Sequence, residues 1–510
     1  MLASVPAATL LGVEGRPVAV EVHVSAGLPG FAIVGLPDAA CREARDRVRA
    51  ALLSSGLAWP LQRVTVNLAP SGIRKAGAGL DLAIAVGLLL ATGAIEPKAA
   101  SGCAFLGELG LDGSLRIVPG MLALVDSVCA EAVVVPLGSL AEARLVPGVR
   151  ALGARSLSEV VDVLAGHGTW PDVPVTVPVP SSAEETGAGS VDLQSVRGQV
   201  VARRAVEVAA AGGHHLLLAG PPGAGKTLLA RCLPGLLPPL GPIEALEATK
   251  VHSAAGLALP SSGLLERPPF RAPHHSSSAV ALLGGGTSCM RPGEISLATN
   301  GVLFLDELGE FPPSLLETLR QPLEDGSILV ARARASIRLP ARFVLVAATN
   351  PCPCGEGGRP GACRCSPAMR ERYLRRLSAP LLDRFDLAVP VERPGALELL
   401  GEPRGECSAA VAGRVAAARQ LARERGVRSN AEIPSHHLDE LAPLSGPARR
   451  LLVERVRSGE LSARGLDRVR RVARTLADLD GTGEVVGAEH TAVALELRSG
   501  REVLFGGRAA

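Results

Sequence analysis

The sequence predicts an α/β protein of several domains, with a doubly wound parallel sheet at its centre, a mixed α+β domain before it and a helical domain after it. Three observations predict this. An apolar strand, HHLLLAG (214–220), runs through a Gly-rich loop into a helix beginning TLLARCL (227–233), and that order opens a parallel α/β sheet. Two more apolar runs, GVLFLDE (301–307) and FVLVAATN (343–350), have the length of buried strands and end on polar residues. Beyond 396 the chain is poor in strands. RVAAARQLARERG (414–426), PARRLLVERVRSG (447–459) and SARGLDRVRRVARTLADLDG (462–481) space their apolar residues as helices do and stop at glycine.

Taken in order, residues 1–167 mix both element types. EVHVSAGLPGFAIVGL (21–36) alternates like two paired strands around a Gly-Pro turn, and ACREARDRVRAALLSSG (40–56) has helical spacing. RVTVNLAP (63–70) is a strand, DLAIAVGLLLATG (81–93) a buried helix ending at glycine, and AVVVP (132–136) a buried strand. Residues 168–190, rich in Pro, Gly, Ser and Thr, form a flexible linker. The sheet domain spans 191–395 and the helical domain 396–510.

A chain of 510 residues exceeds one ordinary core, and 47% hydrophobic residues suffice to fill several. The net charge of +3 leaves no global electrostatic footprint for nucleic acid, so any basic surface is local. Aromatics make up only 2%, which disfavours base stacking and leaves backbone contact as the mode of binding. The first residues, MLASVPAATLLGVEG, lack a basic start and a long apolar run, so they do not read as a secretory signal. The longest apolar stretch, near 82–91, falls far short of the roughly 20 residues a membrane helix needs. Together with unpaired cysteine usage, this places the protein in the cytoplasm, away from membranes.

The chemistry concentrates at GPPGAGKT. Gly220, Pro221, Pro222, Gly223, Ala224 and Gly225 form a loop whose glycines let backbone N–H groups converge on phosphate, at the start of a helix. Lys226 supplies a point charge to the β- and γ-phosphates of ATP, and the Thr227 hydroxyl ligates Mg2+. The only other lysines are Lys75, Lys98 and Lys250, so a lysine here is not generic surface charge. GVLFLDE delivers Asp306, to hold Mg2+ through water, and Glu307, to orient and deprotonate the attacking water. Asn350, ending the next strand, holds that water or senses the γ-phosphate. In LSAPLLDRFDL (377–387), Arg384 has a fork suited to a phosphoryl transition state, with a surface ion pair as the competing reading.

Cys352, Cys354, Cys363 and Cys365 form two close pairs, CPC and CRC, and can close a tetrahedral zinc site. The cluster begins two residues after Asn350, so a bound metal would stiffen a loop rooted at the ATP site. His274 and His275 in RAPHHSSS (271–278) read as hydrogen-bonded structural residues or a loop that senses a neighbouring subunit, and His214 and His215 as packing at a strand start.

VRGQ (196–199), GPPGAGKT, RAPHHSSS, RPGEISLATNGVLFLDEL (291–308), RQPLEDGSI (320–328), ATNPCPCG (348–355) and LSAPLLDRFDL together resemble the magnesium-chelatase-like AAA+ ATPases of the YifB/ComM family. The resemblance implies a Lon-protease-like N-terminal domain, an AAA+ core and a C-terminal helical lid. It also implies that Arg384 is an arginine finger reaching the ATP of the next subunit in a hexameric ring. Arg464 would be the lid arginine called sensor 2. ComM-type members are described as hexameric DNA helicases driving branch migration in natural transformation, which implies single-stranded or branched DNA as partner. The stretch 324–343 resembles the pre-sensor hairpin of this clade and of the MCM helicases, with Arg332 and Arg334 as DNA contacts at its tip. An edge hairpin kept soluble by its charges is the alternative. In the Lon-like part, Gly77 stands where the nucleophilic serine would be and Leu122 where the lysine would be, so no peptidase dyad is present. The competing function is a chelatase-like ATPase that remodels a protein or metal-insertion complex.

Overall fold

A computed structural model describes residues 1–171, 191–286, 290–332, 335–357, 362–401 and 405–498. Of the linker expected at 168–190, residues 172–190 lie outside the described residues.

The chain opens with two long strands, Leu2–Leu11 and Glu14–Ser25, paired antiparallel from Leu2↔His23 to Leu11↔Glu14. Val18, Val20, Val22 and Val24 alternate into the core. Residues 21–36 do not form the hairpin that their alternation suggests. Arg63–Ala69 inserts between the two runs, antiparallel to Glu14–Ser25 and parallel to Gly30–Val34. The intervening helix, Ala39–Ser54, supplies the crossover that a parallel pair needs. Inside the sheet, Val64, Val66 and Leu68 face the core and are fully covered. The helix Asp81–Thr92 is buried nearly all round and stops at Gly93, whose φ of 77° closes the cap. Three parallel strands, Cys103–Phe105, Ala132–Pro136 and Arg150–Ala154, make a second sheet in this part of the chain.

The central sheet has five parallel strands in the order Phe270–Arg271, Val302–Leu305, Val344–Thr349, Leu216–Ala219, Leu387–Pro390. Helices and loops cover both faces, so the three inner strands are apolar without alternation. The two edge strands, of two and four residues, are too short to register as hydrophobic runs. A hairpin, Ser327–Arg332 with Ala335–Pro340, stands apart from the sheet. Its Ile328, Val330, Ile337 and Leu339 are buried in one cluster with Val13 of the first turn.

The C-terminal part is helical, as its spacing predicts, in Ser408–Glu424, Gly446–Arg457 and Ala463–Leu479, and a further helix not read from the sequence follows at Ala488–Glu496. Ser462 caps the third of these by accepting a hydrogen bond from the Gly465 N–H. Val469, Val472 and Leu476 on that helix share a core with Leu216 and Leu218 of the central sheet.

Candidate ATP site

The strand order brings the sequence motifs together. Leu216–Ala219 feeds the Gly-rich loop, Val302–Leu305 ends just before Asp306, and Val344–Thr349 lies between them, ending just before Asn350. Gly220 has a packing reason to be glycine, because a Cβ there would stand 2.0 Å from the Val391 carbonyl oxygen. Gly223 and Gly225 have φ of 76° and 91° and open space where a Cβ would go. That space and those angles fit a loop that turns its backbone N–H groups onto phosphate.

Lys226 begins the following helix and is nearly buried. Its ammonium donates to the carbonyls of Gly220 (2.7 Å) and Pro221 (2.9 Å) and to Oδ1 of Asn350 (3.1 Å). Burial pushes the Lys226 pKa below its ordinary value, with the Asp306 and Glu307 carboxylates acting the other way. The Thr227 hydroxyl donates to Oδ2 of Asp306 at 2.7 Å. Neighbouring oxygen ligands in an octahedral Mg2+ shell stand about 3 Å apart, so these two side chains fit that ion, directly or through water. Glu307 takes a left-handed backbone, φ 51°, which costs a non-glycine residue about 1–2 kcal/mol. Its carboxylate is half exposed, and 3.3 Å from it lies Nδ1 of His275. His275 in turn stacks on His274, with ring centroids 4.1 Å apart. Sequence reasoning gave His275 no catalytic neighbour. The only signal was its position after a strand too short to recognise.

Arg384 does not join this group. It is 8% exposed and paired with Glu324 of the same chain, while its Nε is buried without a partner. The turn that carries it is clamped from the helical part. Arg468 donates to the Arg384 carbonyl (2.8 Å) and to Oδ1 of Asp386 (2.6 Å). The Asp386 pKa is held far below the carboxylate range by His214 and Arg468, which outweigh a large opposing burial effect. His214 and His215 do more than pack. His214 hydrogen-bonds Thr475 of the helical part at 2.8 Å, and Nδ1 of His215 accepts the Leu345 N–H at 3.1 Å. Arg464 is exposed in the first turn of its helix and hydrogen-bonds none of the pocket residues. Arg332 ends the first hairpin strand, and Arg334 lies outside the described residues.

The four cysteines converge. Their Sγ atoms all lie within 4.8 Å of one another, with Cys352–Cys354 at 3.4 Å, Cys352–Cys363 at 3.9 Å and Cys354–Cys363 at 3.6 Å. Sulfurs at the corners of a tetrahedron with 2.3 Å zinc bonds would stand about 3.8 Å apart, so the donor set fits that ion. The Gly357 N–H donates to Sγ of Cys352 at 3.2 Å. N–H groups of Glu356 and Arg364 pull the Cys354 pKa down to about 6, while burial and the neighbouring thiols push Cys365 up to about 11. In the N-terminal part, Gly77 lies at a φ of 83° and Leu122 is fully buried in the helix Met121–Ser127. Neither offers a reactive group.

Among the described residues, no helix is long and apolar enough to cross a membrane. Profiles of three families match in sequence order: "Subunit ChlI of Mg-chelatase" over 20–138, "Magnesium chelatase, subunit ChlI" over 192–399 and "Magnesium chelatase, subunit ChlI C-terminal" over 405–498. The chain is 46% identical to an uncharacterised protein of Mycobacterium tuberculosis over 494 residues, 96% of each chain. It is 42% identical to the competence protein ComM of Haemophilus influenzae over 504 residues, covering 98% of this chain and 97% of that one. It is also 42% identical to the uncharacterised protein YifB of Escherichia coli over 495 residues, covering 96% and 95%. With relatives this similar along nearly their whole length, the chain belongs to the magnesium-chelatase-like AAA+ family that includes ComM and YifB.

Proposed function

We propose that the protein is an Mg2+-dependent ATPase working as a ring of six identical subunits, and that it moves on single-stranded or branched DNA as a helicase in recombination. The observation that carries the ATPase reading is one connected line of side chains. Lys226 meets Asn350, Thr227 meets Asp306, and Glu307 follows Asp306 with its carboxylate half exposed. Thr227 and, through water, Asp306 would hold Mg2+, which would supply positive charge to the phosphates. Lys226 adds a second charge on the β- and γ-phosphates. Glu307 accepts a proton from the attacking water as its oxygen bonds to the γ-phosphorus and the bridging bond to ADP breaks. Asn350 is the neutral group that aligns this water, and Arg464 would meet nucleotide from the lid. Four thiolates of Cys352, Cys354, Cys363 and Cys365 hold a structural zinc, which suits a reducing cytoplasm.

The Arg384 guanidinium is the transition-state charge lent to the next subunit. Its pairing with Glu324 in the single chain means that this pair has to open, or turn outward, when subunits meet. Glu324 stands three residues before the hairpin, so the finger is tied to the root of the proposed DNA-contacting element. The domains run 1–167 (Lon-like, without a peptidase dyad), 191–395 (AAA+ core) and 396–510 (lid), joined by the linker 168–190. The name of the Haemophilus influenzae relative, competence protein, supports a DNA-handling role over a chelatase one.

The test is ATP-dependent unwinding of a branched DNA by the purified protein, with ATPase turnover measured alongside. DNA-stimulated turnover and unwinding, both lost in Arg332→Ala, are expected. Turnover indifferent to DNA would replace this reading with an ATPase that remodels a protein or metal-insertion complex.

A further inference from the structure

The cysteine cluster lies against both walls of the ATP pocket. On one side, Gly355, at a φ of 84°, comes so close to the phosphate loop that a Cβ there would stand 2.2 Å from Cδ of Pro222. Arg393 fastens the same contact. Its Nη2 donates to Glu356 of the cysteine loop at 2.9 Å, and its Nε to the Pro222 carbonyl at 3.3 Å. On the other side, the helix Pro367–Leu374, two residues after Cys365, carries Tyr373, the only tyrosine in the chain. Tyr373 is buried beside Thr349 and Asn350. A Cβ on Gly309, in the turn after Glu307, would stand 2.5 Å from its hydroxyl oxygen. One short stretch of chain therefore spans from Pro222 of the phosphate loop to the turn that follows the proposed base.

We infer that zinc held by Cys352, Cys354, Cys363 and Cys365 braces the ATP pocket, so that metal occupancy sets the affinity for nucleotide. The inference rests on the zinc reading given above. A phosphate loop binds well only while its N–H groups stay convergent, and Pro222 is fixed from outside by Gly355 and Arg393. Gly355 lies between the two cysteine pairs, one residue past Cys354, so its position depends on the cross-link that closes residues 352–365. Without the metal, that closed loop regains chain entropy and releases its hold on Pro222. Linkage makes the effect mutual: if zinc tightens nucleotide binding by some factor, nucleotide tightens zinc binding by the same factor.

The experiment measures zinc content and the Kd for Mg2+ with a non-hydrolysable ATP analogue in three samples: the protein as purified, the protein stripped by a transition-metal chelator and resupplied with Mg2+, and Gly355→Ala. Stripping is expected to weaken the analogue about tenfold, with circular dichroism unchanged and affinity restored by Zn2+ alone. Saturating analogue should slow zinc release to the chelator. Gly355→Ala should keep its zinc yet bind the analogue weakly, because its methyl displaces Pro222. No metal in the purified protein and none taken up would overturn the zinc reading and this inference with it. Bound zinc whose removal leaves the Kd unchanged would overturn the brace alone. If stripping unfolds the protein, Gly355→Ala decides: zinc retained with wild-type affinity sinks the proposal.

Discussion

Gly220 combines two demands at one residue. The phosphate loop needs a flexible start, and the neighbouring strand leaves no room, since a Cβ would lie 2.0 Å from the Val391 carbonyl oxygen. Gly220→Ala is expected to cost about 1–3 kcal/mol of stability, as overpacking does, and to weaken nucleotide binding; a lowered melting temperature and an analogue titration check both. Lys226→Ala should abolish ATP binding, because the remaining N–H groups would face the triphosphate without a point charge; retained affinity would contradict the phosphate-loop assignment. Glu307→Gln should bind ATP but hydrolyse it about 10^2-fold or more slowly, the amide being unable to take the proton; normal turnover in a phosphate-release assay would move the base elsewhere. At this scale the Gly-rich loop between strand and helix was legible, since eight consecutive residues carry it. The approach of His275 to Glu307 was not, because 32 positions separate them in the chain (307 − 275 = 32) and only the sheet brings them within 3.3 Å.

The elements are held in place by buried polar groups as well as apolar faces. His215 is half-buried, and desolvation lowers its pKa from 6.5 to about 4. Its Nδ1 must stay unprotonated to accept the Leu345 N–H from the adjacent strand. Below pH 6.5 the unfolded chain binds a proton that the folded one refuses, so stability falls as pH drops from about 6.5 to about 4. The loss approaches about 3 kcal/mol at the acid end. Calorimetric melting at pH 7 and pH 5 should show the decline, and His215→Gln should flatten it; an unchanged slope would mean that other groups set the acid limit. The inner strands and the longest helices of the first and last parts were readable because hydrophobic spacing survives in a single sequence, whereas Val200–Gly212 and Pro242–Ala255 were missed. Leu2–Leu11 was missed, and the two edge strands of the central sheet are too short to carry a pattern. Residues 21–36 misled, because alternation reports a strand and a buried face but not the partner.

For the whole molecule, Arg384 is paired with Glu324 of the same chain, and in the proposed ring its charge would serve the pocket of the next subunit. Arg384→Ala should therefore leave nucleotide binding within about twofold of wild type and stop hydrolysis. Mixing it with Lys226→Ala should restore part of the activity at interfaces that combine an intact phosphate loop with an intact finger. Absence of recovery at every mixing ratio would rule out a finger given in trans. Arg468, which grips both the Arg384 carbonyl and Asp386, ties the turn that carries Arg384 to the same helix that carries Arg464.

By itself the sequence determined what is local in the chain: the Gly-rich loop between strand and helix, the acidic strand end, the cysteine pairs, the helical C-terminal part and the family resemblance. Each of these lies within a few consecutive residues or in an ordered set of such motifs. Only the tertiary structure decided which strand lies between which, that Thr227 reaches Asp306, that Arg384 is held by Glu324, and that the cysteine loop rests on Pro222. The physical reason is that hydrophobic periodicity states how much of an element is buried, while register, close approach and charge pairing depend on neighbours distant in sequence that only the packed core brings into contact.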